Sequence, residues 1–329
     1  MRAVARPRSA GAHAGAFTNG LLLVALLVLY WIKQPAIFSD FGVTSLVNQF
    51  VTLAIVALAQ TLAVMLGGID LSVGALLSLV TCIAATFAGP SLGGGVAIML
   101  VCLIVGFAAG LFNGVLITYG RIEPLIATLA TSFVFAGLAL VIRPQPGGSL
   151  SPALTNALSG NWGYLPYGLL VILACLGLIW VPIMRSRLGR SVVAIGNSES
   201  GAYASGLKVA RTKVLTYGFV GLLAAVAGLV VAAQTTSGDA GIGDLYTLNS
   251  VAAVVLGGVV LKGGRGTAIG PVLAAFVLSV IVSVLVAWGV SALWQSFIQG
   301  AVLLLVLLLV GIRVIRNRHW MAFIRGQTT

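Results

Sequence analysis

Gly95-Val-Ala-Ile-Met-Leu-Val-Cys-Leu-Ile-Val-Gly-Phe-Ala-Ala-Gly-Leu-Phe-Asn-Gly-Val-Leu116 contains no charged side chain, and the next charge in the chain is Arg121. Coiled as a helix, a stretch of this length covers the roughly 30 Å hydrocarbon core of a bilayer. Nine further stretches repeat the pattern, at 17–32, 44–66, 71–89, 124–142, 164–183, 213–234, 246–260, 268–289 and 293–312, the first and eighth being the shortest. Backbone groups in lipid must find their hydrogen bonds within the segment, and nothing here alternates at period two as a barrel strand does. The reading is therefore an all-α, polytopic membrane helix bundle of about ten transmembrane helices.

Composition agrees. The chain is 60% hydrophobic and 7% charged, with a mean hydropathy of +1.13, and such a chain cannot cover a soluble core with a polar shell. Eighteen Lys and Arg face six Asp and Glu, a formal charge of +12. The cations lie in short loops between apolar runs, which points to anionic headgroups rather than to nucleic acid. With the amino terminus placed inside, only Lys33 and Arg143 fall outside and the other sixteen fall inside. That asymmetry predicts both termini to be cytoplasmic. Residues 1–16 then form a basic tail, 17–312 the membrane domain and 313–329 a second basic tail. Lys33-Gln34-Pro35 follows the first run where a signal peptide would carry small residues, so the run is read as a retained span.

Two connections exceed simple turns. Residues 143–163, beginning Arg-Pro-Gln-Pro-Gly-Gly-Ser, form an external segment rich in turn formers. Residues 184–212 form a basic internal segment in which Val192 to Ile195 is apolar and Ser198 to Ala204 is compatible with a helix. Gly196-Asn197 is expected to turn between them, making a short folded platform.

Each acid can be asked why it is present. In Gly67-Gly68-Ile69-Asp70-Leu71-Ser72-Val73-Gly74 two glycines break one helix and Asp70 precedes the next, so Asp70 is read as a helix-start residue. Glu123, before Pro124, reads the same way. Asp239 and Asp244 sit in a glycine-rich stretch expected to stay outside the bilayer core. Candidates for a solute path are neutral: Asn48, Thr52 and Gln60 on the second run, Thr128, Thr131 and Ser132 on the fifth, Asn249 and Ser250 on the eighth. These either line a pore or hydrogen-bond neighbouring helices. Neutral polar groups suit an uncharged, hydroxyl-rich solute better than an ion. Gly106, Gly110 and Gly114, and again Gly218, Gly221 and Gly228, read as close helix-packing faces.

Catalytic chemistry has no support. Cys82, Cys102 and Cys175 lie in apolar runs, and His13 and His319 stand alone, so no metal site is expected. Gly263-Gly264-Arg265-Gly266-Thr267 lacks the spacing and lysine of a phosphate loop. Any pumping has to be driven from outside the polypeptide.

The chain resembles a known family. Gly67-Gly-Ile-Asp-Leu-Ser-Val-Gly74 looks like the glycine-acid signature of bacterial ABC sugar-importer permeases of the ribose/xylose/arabinose type. Pro124-Leu-Ile-Ala-Thr-Leu-Ala130 is similar to that family's fifth-span start. Gly189-Arg-Ser-Val-Val-Ala-Ile-Gly-Asn197, running on to Ala204-Ser-Gly-Leu207, resembles its cytoplasmic coupling segment. Ala252-Ala-Val-Val-Leu-Gly-Gly258, Gly263-Gly-Arg-Gly-Thr267 and Trp294-Gln-Ser-Phe-Ile-Gln-Gly300 match its carboxy-terminal pattern. The resemblance implies a dimer with a second permease copy or paralogue, two ATP-hydrolysing subunits and a periplasmic binding protein that delivers a small sugar-like solute. It implies that Gly189, Arg190, Gly196, Asn197, Ala204 and Gly206 belong to the loop that docks on the ATPase. ATP and Mg would then sit on the partner, with no cofactor on this chain, and the setting would be a bacterial inner membrane. Two departures, Leu245-Tyr-Thr-Leu248 and Ala287-Trp-Gly-Val-Ser291, bear on which solute is carried. A competing reading is a secondary transporter coupled to an ion gradient, which would need buried ionisable groups or broken helices at the midplane. A non-transporting scaffold is a third reading, and it leaves the organised internal loop unexplained.

Overall fold

The computed structural model describes residues 10–89 and 91–291, together with 293–295, 297–301, 304 and 308, and side chains from residue 20. Helix α1 (Ala10–Lys33) passes through a 3-10 turn at Pro35–Phe38 into α2 (Asp40–Met65). Then come α3 (Val73–Phe87), α4 (Leu92–Thr118) and α5 (Pro124–Ile142). A short helix α6 (Pro152–Ser159) leads to a two-strand hairpin, β1 (Asn161–Trp162) antiparallel to β2 (Leu165–Pro166), with Trp162 opposite Leu165. From there α7 (Tyr167–Ala174) continues through a π-helical stretch at Cys175–Trp180 into α8 (Val181–Arg185). Helices α9 (Arg187–Asn197) and α10 (Glu199–Ala204) precede α11 (Val209–Thr235), α12 (Asp244–Leu256) and α13 (Ile269–Ala287).

Nine of the ten apolar stretches thus coincide with helices. The tenth, 293–312, lies largely outside the described residues, as do most of the two basic tails. Among the described residues, six helices are long and apolar enough to cross a membrane: α2, α4, α5, the continuous rod Tyr167–Arg185, α11 and α13. The apolar parts at Gly20–Lys33, Val73–Phe87 and Asp244–Leu256 are shorter. For α3 and α12 the cause is local. Each follows a glycine-rich coil, residues 66–72 and 236–243, that uses up chain which a continuous helix would have spent crossing.

The core runs along α2 and α11. From Phe50 to Met65 every residue of α2 is buried, and α11 is buried along most of its length. Against this core, α4 packs through its glycines: a methyl added at Gly110 would overlap the Tyr217 carbonyl, and one at Gly221 the Gly106 carbonyl. The outer faces of α4 and α5 leave large apolar side chains such as Ile104, Phe112, Leu140 and Val141 exposed, as helices facing lipid or another membrane chain do.

Both long connections are more ordered than turn composition suggests. In 143–163, Ser151 Oγ accepts from Leu154 N (3.3 Å) and starts α6, while Gly147 and Gly238 pair across an antiparallel bridge. In 184–212, the expected turn at Gly196-Asn197 is instead the last part of α9. The break falls at Ser198, whose Oγ accepts from Gly201 N (3.1 Å) to cap α10. Glu123 occupies the capping position of α5 but makes no side-chain capping bond there, so Pro124 alone marks that start. Cys82, Cys102 and Cys175 are free and buried.

Candidate functional site

The α9–α10 platform is bolted to two other parts of the chain. Gly196 lies against the Met65 carbonyl at the end of α2 and against the backbone of Gly264, so closely that an added Cβ would overlap both. Gly264 N donates to Met65 O (2.9 Å), and Asn197 Nδ2 donates to Val193 O (2.6 Å) and Gly264 O (3.3 Å). Gly263 and Gly264 hold φ values of +91° and +76°, which side chains rarely adopt. The glycines that fail as a phosphate loop are therefore the seat of the platform. Gly189 likewise packs against the Ile183–Met184 backbone, where an added Cβ would overlap. Arg190 is exposed and reaches Arg185 O with Nη1 (3.5 Å), Ala204 ends α10, and Gly206 turns the chain at φ +77°. Beneath them lies a cleft of about 780 Å³ that Arg187, Arg190, Lys208 and Arg211 line together with Leu188, Leu207 and Leu215. Four cations around an apolar floor make a surface suited to an acidic partner.

Asp70 is 2% exposed. Its Oδ1 accepts from Ser72 N (2.8 Å) and Ser72 Oγ (2.6 Å), and Asn113 Nδ2 of α4 donates to Ser72 Oγ (2.8 Å). Gln60 of α2, with its carboxamide turned so that both ends are satisfied, donates to Asp70 O (3.0 Å) and accepts from Asp70 N (3.2 Å). Thr128 Oγ1 of α5 accepts from Leu71 N (3.0 Å) and donates to Pro124 O (2.8 Å). Gly68 leaves space for the Tyr217 hydroxyl and the Pro124 ring. The helix-start residues Gly67, Gly68 and Asp70 thus tie the beginning of α3 to four other helices.

This divides the path candidates. Gln60 and Thr128 serve the backbone of the 69–71 segment. Asn48 Nδ2 donates to Ser159 O (2.7 Å), and Gln234 Nε2 donates to Asn48 O (2.8 Å), which ties α2 to α6 and α11. Thr131 and Ser250 bond back to their own helices. Thr52 is fully buried. Ser132 and Asn249 line open space, but in different places. Asn249 faces a cavity of about 250 Å³ with Gln49, Tyr246, Ser279 and Gln299. Ser132 faces a cleft of about 450 Å³ with Leu71, Ala75, Leu129, Phe133, Ala136, Asp244, Thr247 and Leu248. The structure does not bring all eight candidates onto one surface. Partners such as the Asp70 backbone could not be read from side-chain spacing.

Among the described residues no group of three or more His, Cys, Asp or Glu could hold a metal ion. The single ion pair among them, Lys213 Nζ to Glu199 Oε1 (2.6 Å), staples α10 to α11.

Residues 42–307 match the family model described as branched-chain amino acid transport system, permease component. The ribose import permease protein RbsC of Bacillus subtilis is 34% identical over 292 residues, covering 87% of this chain and 90% of the relative. Its namesake in Escherichia coli K12 is 33% identical over 296 residues, covering 87% and 91%. The autoinducer 2 import system permease protein LsrC of Yersinia pestis is 34% identical over 301 residues, covering 89% and 84%. No solved structure matches the chain.

Proposed function

This chain belongs to the family of branched-chain amino acid transport system permease components, and from that premise we propose that it is the membrane subunit of an ATP-driven importer for a monosaccharide or similar polyol. A separate binding protein delivers the solute, and separate subunits hydrolyse ATP with Mg, this chain contributing no catalytic group. The chain crosses a bacterial inner membrane about ten times with both termini in the cytoplasm, and it pairs with a second copy or a paralogue. Two of the relatives are ribose import permeases and a third imports autoinducer 2, and the neutral polar groups of this chain suit the hydroxyl-rich class.

One observation carries the mechanism. Gly196 and Asn197 of the platform contact both the end of α2, at Met65, and the loop between α12 and α13, at Gly264. A motor that pulls on α9 and α10 would therefore move two parts of the bundle at once. Close packing transmits such a push without slack, and packed helices shift between discrete arrangements rather than bending continuously. The basic cleft beside α9 supplies the docking charge.

Reconstitution tests this. In liposomes, the chain with its ATPase and binding-protein subunits should take up solute only when ATP is supplied. Arg190→Glu, at an exposed site, should leave membrane insertion intact and cut uptake about tenfold or more by reversing a docking charge. Uptake by the chain alone on an ion gradient, or full uptake by the Arg190 variant, would overturn the assignment.

A further inference from the structure

The segment 236–243 is anchored along its length: Thr236 and Gly241 are exposed, but Gly238 and Gly243 are buried against α3. Gly238 lies against Thr81, Cys82 and Ala85, the Asp239 amide approaches Thr81 Oγ1 (3.4 Å), and Gly243 N donates to Ser78 Oγ (2.8 Å). Gly243 touches the Gly74 carbonyl, and Gly74 in turn leaves room for the Thr247 hydroxyl. The chain therefore descends along α3, and α12 begins beside residues 74–78 of that helix. Those residues precede Phe87, where the chain turns over toward α4, by nine to thirteen positions. At about 1.5 Å per residue this places the first turn of α12 about 14–20 Å below that turn, near the middle of a hydrocarbon core about 30 Å thick.

Asp244 sits in that first turn, exposed, on the cleft of about 450 Å³ shared with Ser132 and Thr247. Among the described residues no cation and no hydrogen bond reaches its carboxylate. A carboxylate at this depth facing lipid would be costly, so it faces water or a ligand. Its charge is partly offset by the amino-terminal end of α12, so the cleft is a poor trap for a cation and a good acceptor for hydroxyl protons. Ser132 Oγ spends its proton on Leu129 O (2.6 Å) and keeps its lone pairs free to accept. Phe133, Leu129 and Leu248 supply the apolar surface that the C–H face of a polyol prefers.

We propose that this cleft is a binding station for a neutral polyhydroxylated solute at mid-depth in the membrane, with Asp244 accepting hydrogen bonds from adjacent hydroxyls and Ser132 and Thr247 completing the polar side. The inference rests on the permease reading. The test uses the complete transporter carrying Thr247→Cys, with Cys82, Cys102 and Cys175 replaced by Ala. A membrane-impermeant thiol reagent should modify position 247, and D-ribose or xylitol should slow modification about tenfold while ethanolamine does not. ATP-driven ribose uptake should fall about tenfold or more in Asp244→Asn, the size expected for losing a charged acceptor. An unreactive thiol, protection by ethanolamine alone, or unchanged uptake in both Asp244→Asn and Asp244→Ala would each overturn the proposal. Labelling with polyol protection but without any ATP-driven uptake would leave the cleft standing and remove the permease reading instead.

Discussion

Two junctions in this molecule follow the same grammar and end differently. In each, a long buried helix stops, a glycine-rich coil turns back into the bundle, and an acid precedes or opens a short helix. At the first, α2 gives way to 66–72 and α3, and Asp70 is sealed within bonds to Ser72, with Asn113, Gln60 and Thr128 closing the segment around it. At the second, α11 gives way to 236–243 and α12, and Asp244 stays open on a cleft. The lesson is that an acid at a helix start has no fixed meaning. The polar partners supplied by neighbouring helices decide whether it holds the fold together or remains available to a ligand.

The largest expected effect comes from emptying the sealed junction. Asp70→Leu would leave the Ser72 N–H and the Ser72 hydroxyl, which itself accepts from Asn113 Nδ2, without their acceptor, at about 1–3 kcal/mol for each orphaned buried group. Sharply lower yield of folded protein and a lower thermal midpoint in detergent are expected, and wild-type stability would break the contrast. A middle effect is expected where the open junction packs backbone on backbone. Gly243→Ala would push a methyl into the Gly74 carbonyl, costing about 1–3 kcal/mol as overpacking does, measurable by the same melt. The smallest effect should have the opposite sign. Thr236 holds φ +50° at the end of α11, where the sealed junction has Gly67 at φ +87°. Relieving that left-handed strain with Thr236→Gly should raise stability by about 1 kcal/mol or less, after the flexibility cost of glycine.

Much of the architecture was legible because hydropathy reports burial in lipid directly. The stretch 124–142 coincides with α5 to the residue, since Pro124 fixes its start and Arg143 ends it. The shortness of α12 was legible, since 246–260 is one of the two shortest apolar stretches, but that of α3 was hidden, because Leu71 is as apolar in coil as in helix. The platform's existence could be read from the basic 184–212 segment, but its break could not. Gly196 lies inside α9 because the space beside Met65 and Gly264 admits no side chain, which is a tertiary reason. The split among Asn48, Gln60 and Thr128 was out of reach for the same cause: their side chains meet backbone atoms elsewhere in the chain, as with Asn48 Nδ2 and Ser159 O, 111 residues away.

The most direct test of the contrast is a paired melt of Asp70→Asn and Asp244→Asn in the same detergent. Asp70→Asn, which exchanges charge-assisted bonds for neutral ones in a buried site, should lose about 1–2 kcal/mol. Asp244→Asn should stay within about 0.5 kcal/mol of wild type, as exposed substitutions do. Equal losses in the two variants, or a larger loss at Asp244, would contradict the division between a sealed and an open junction.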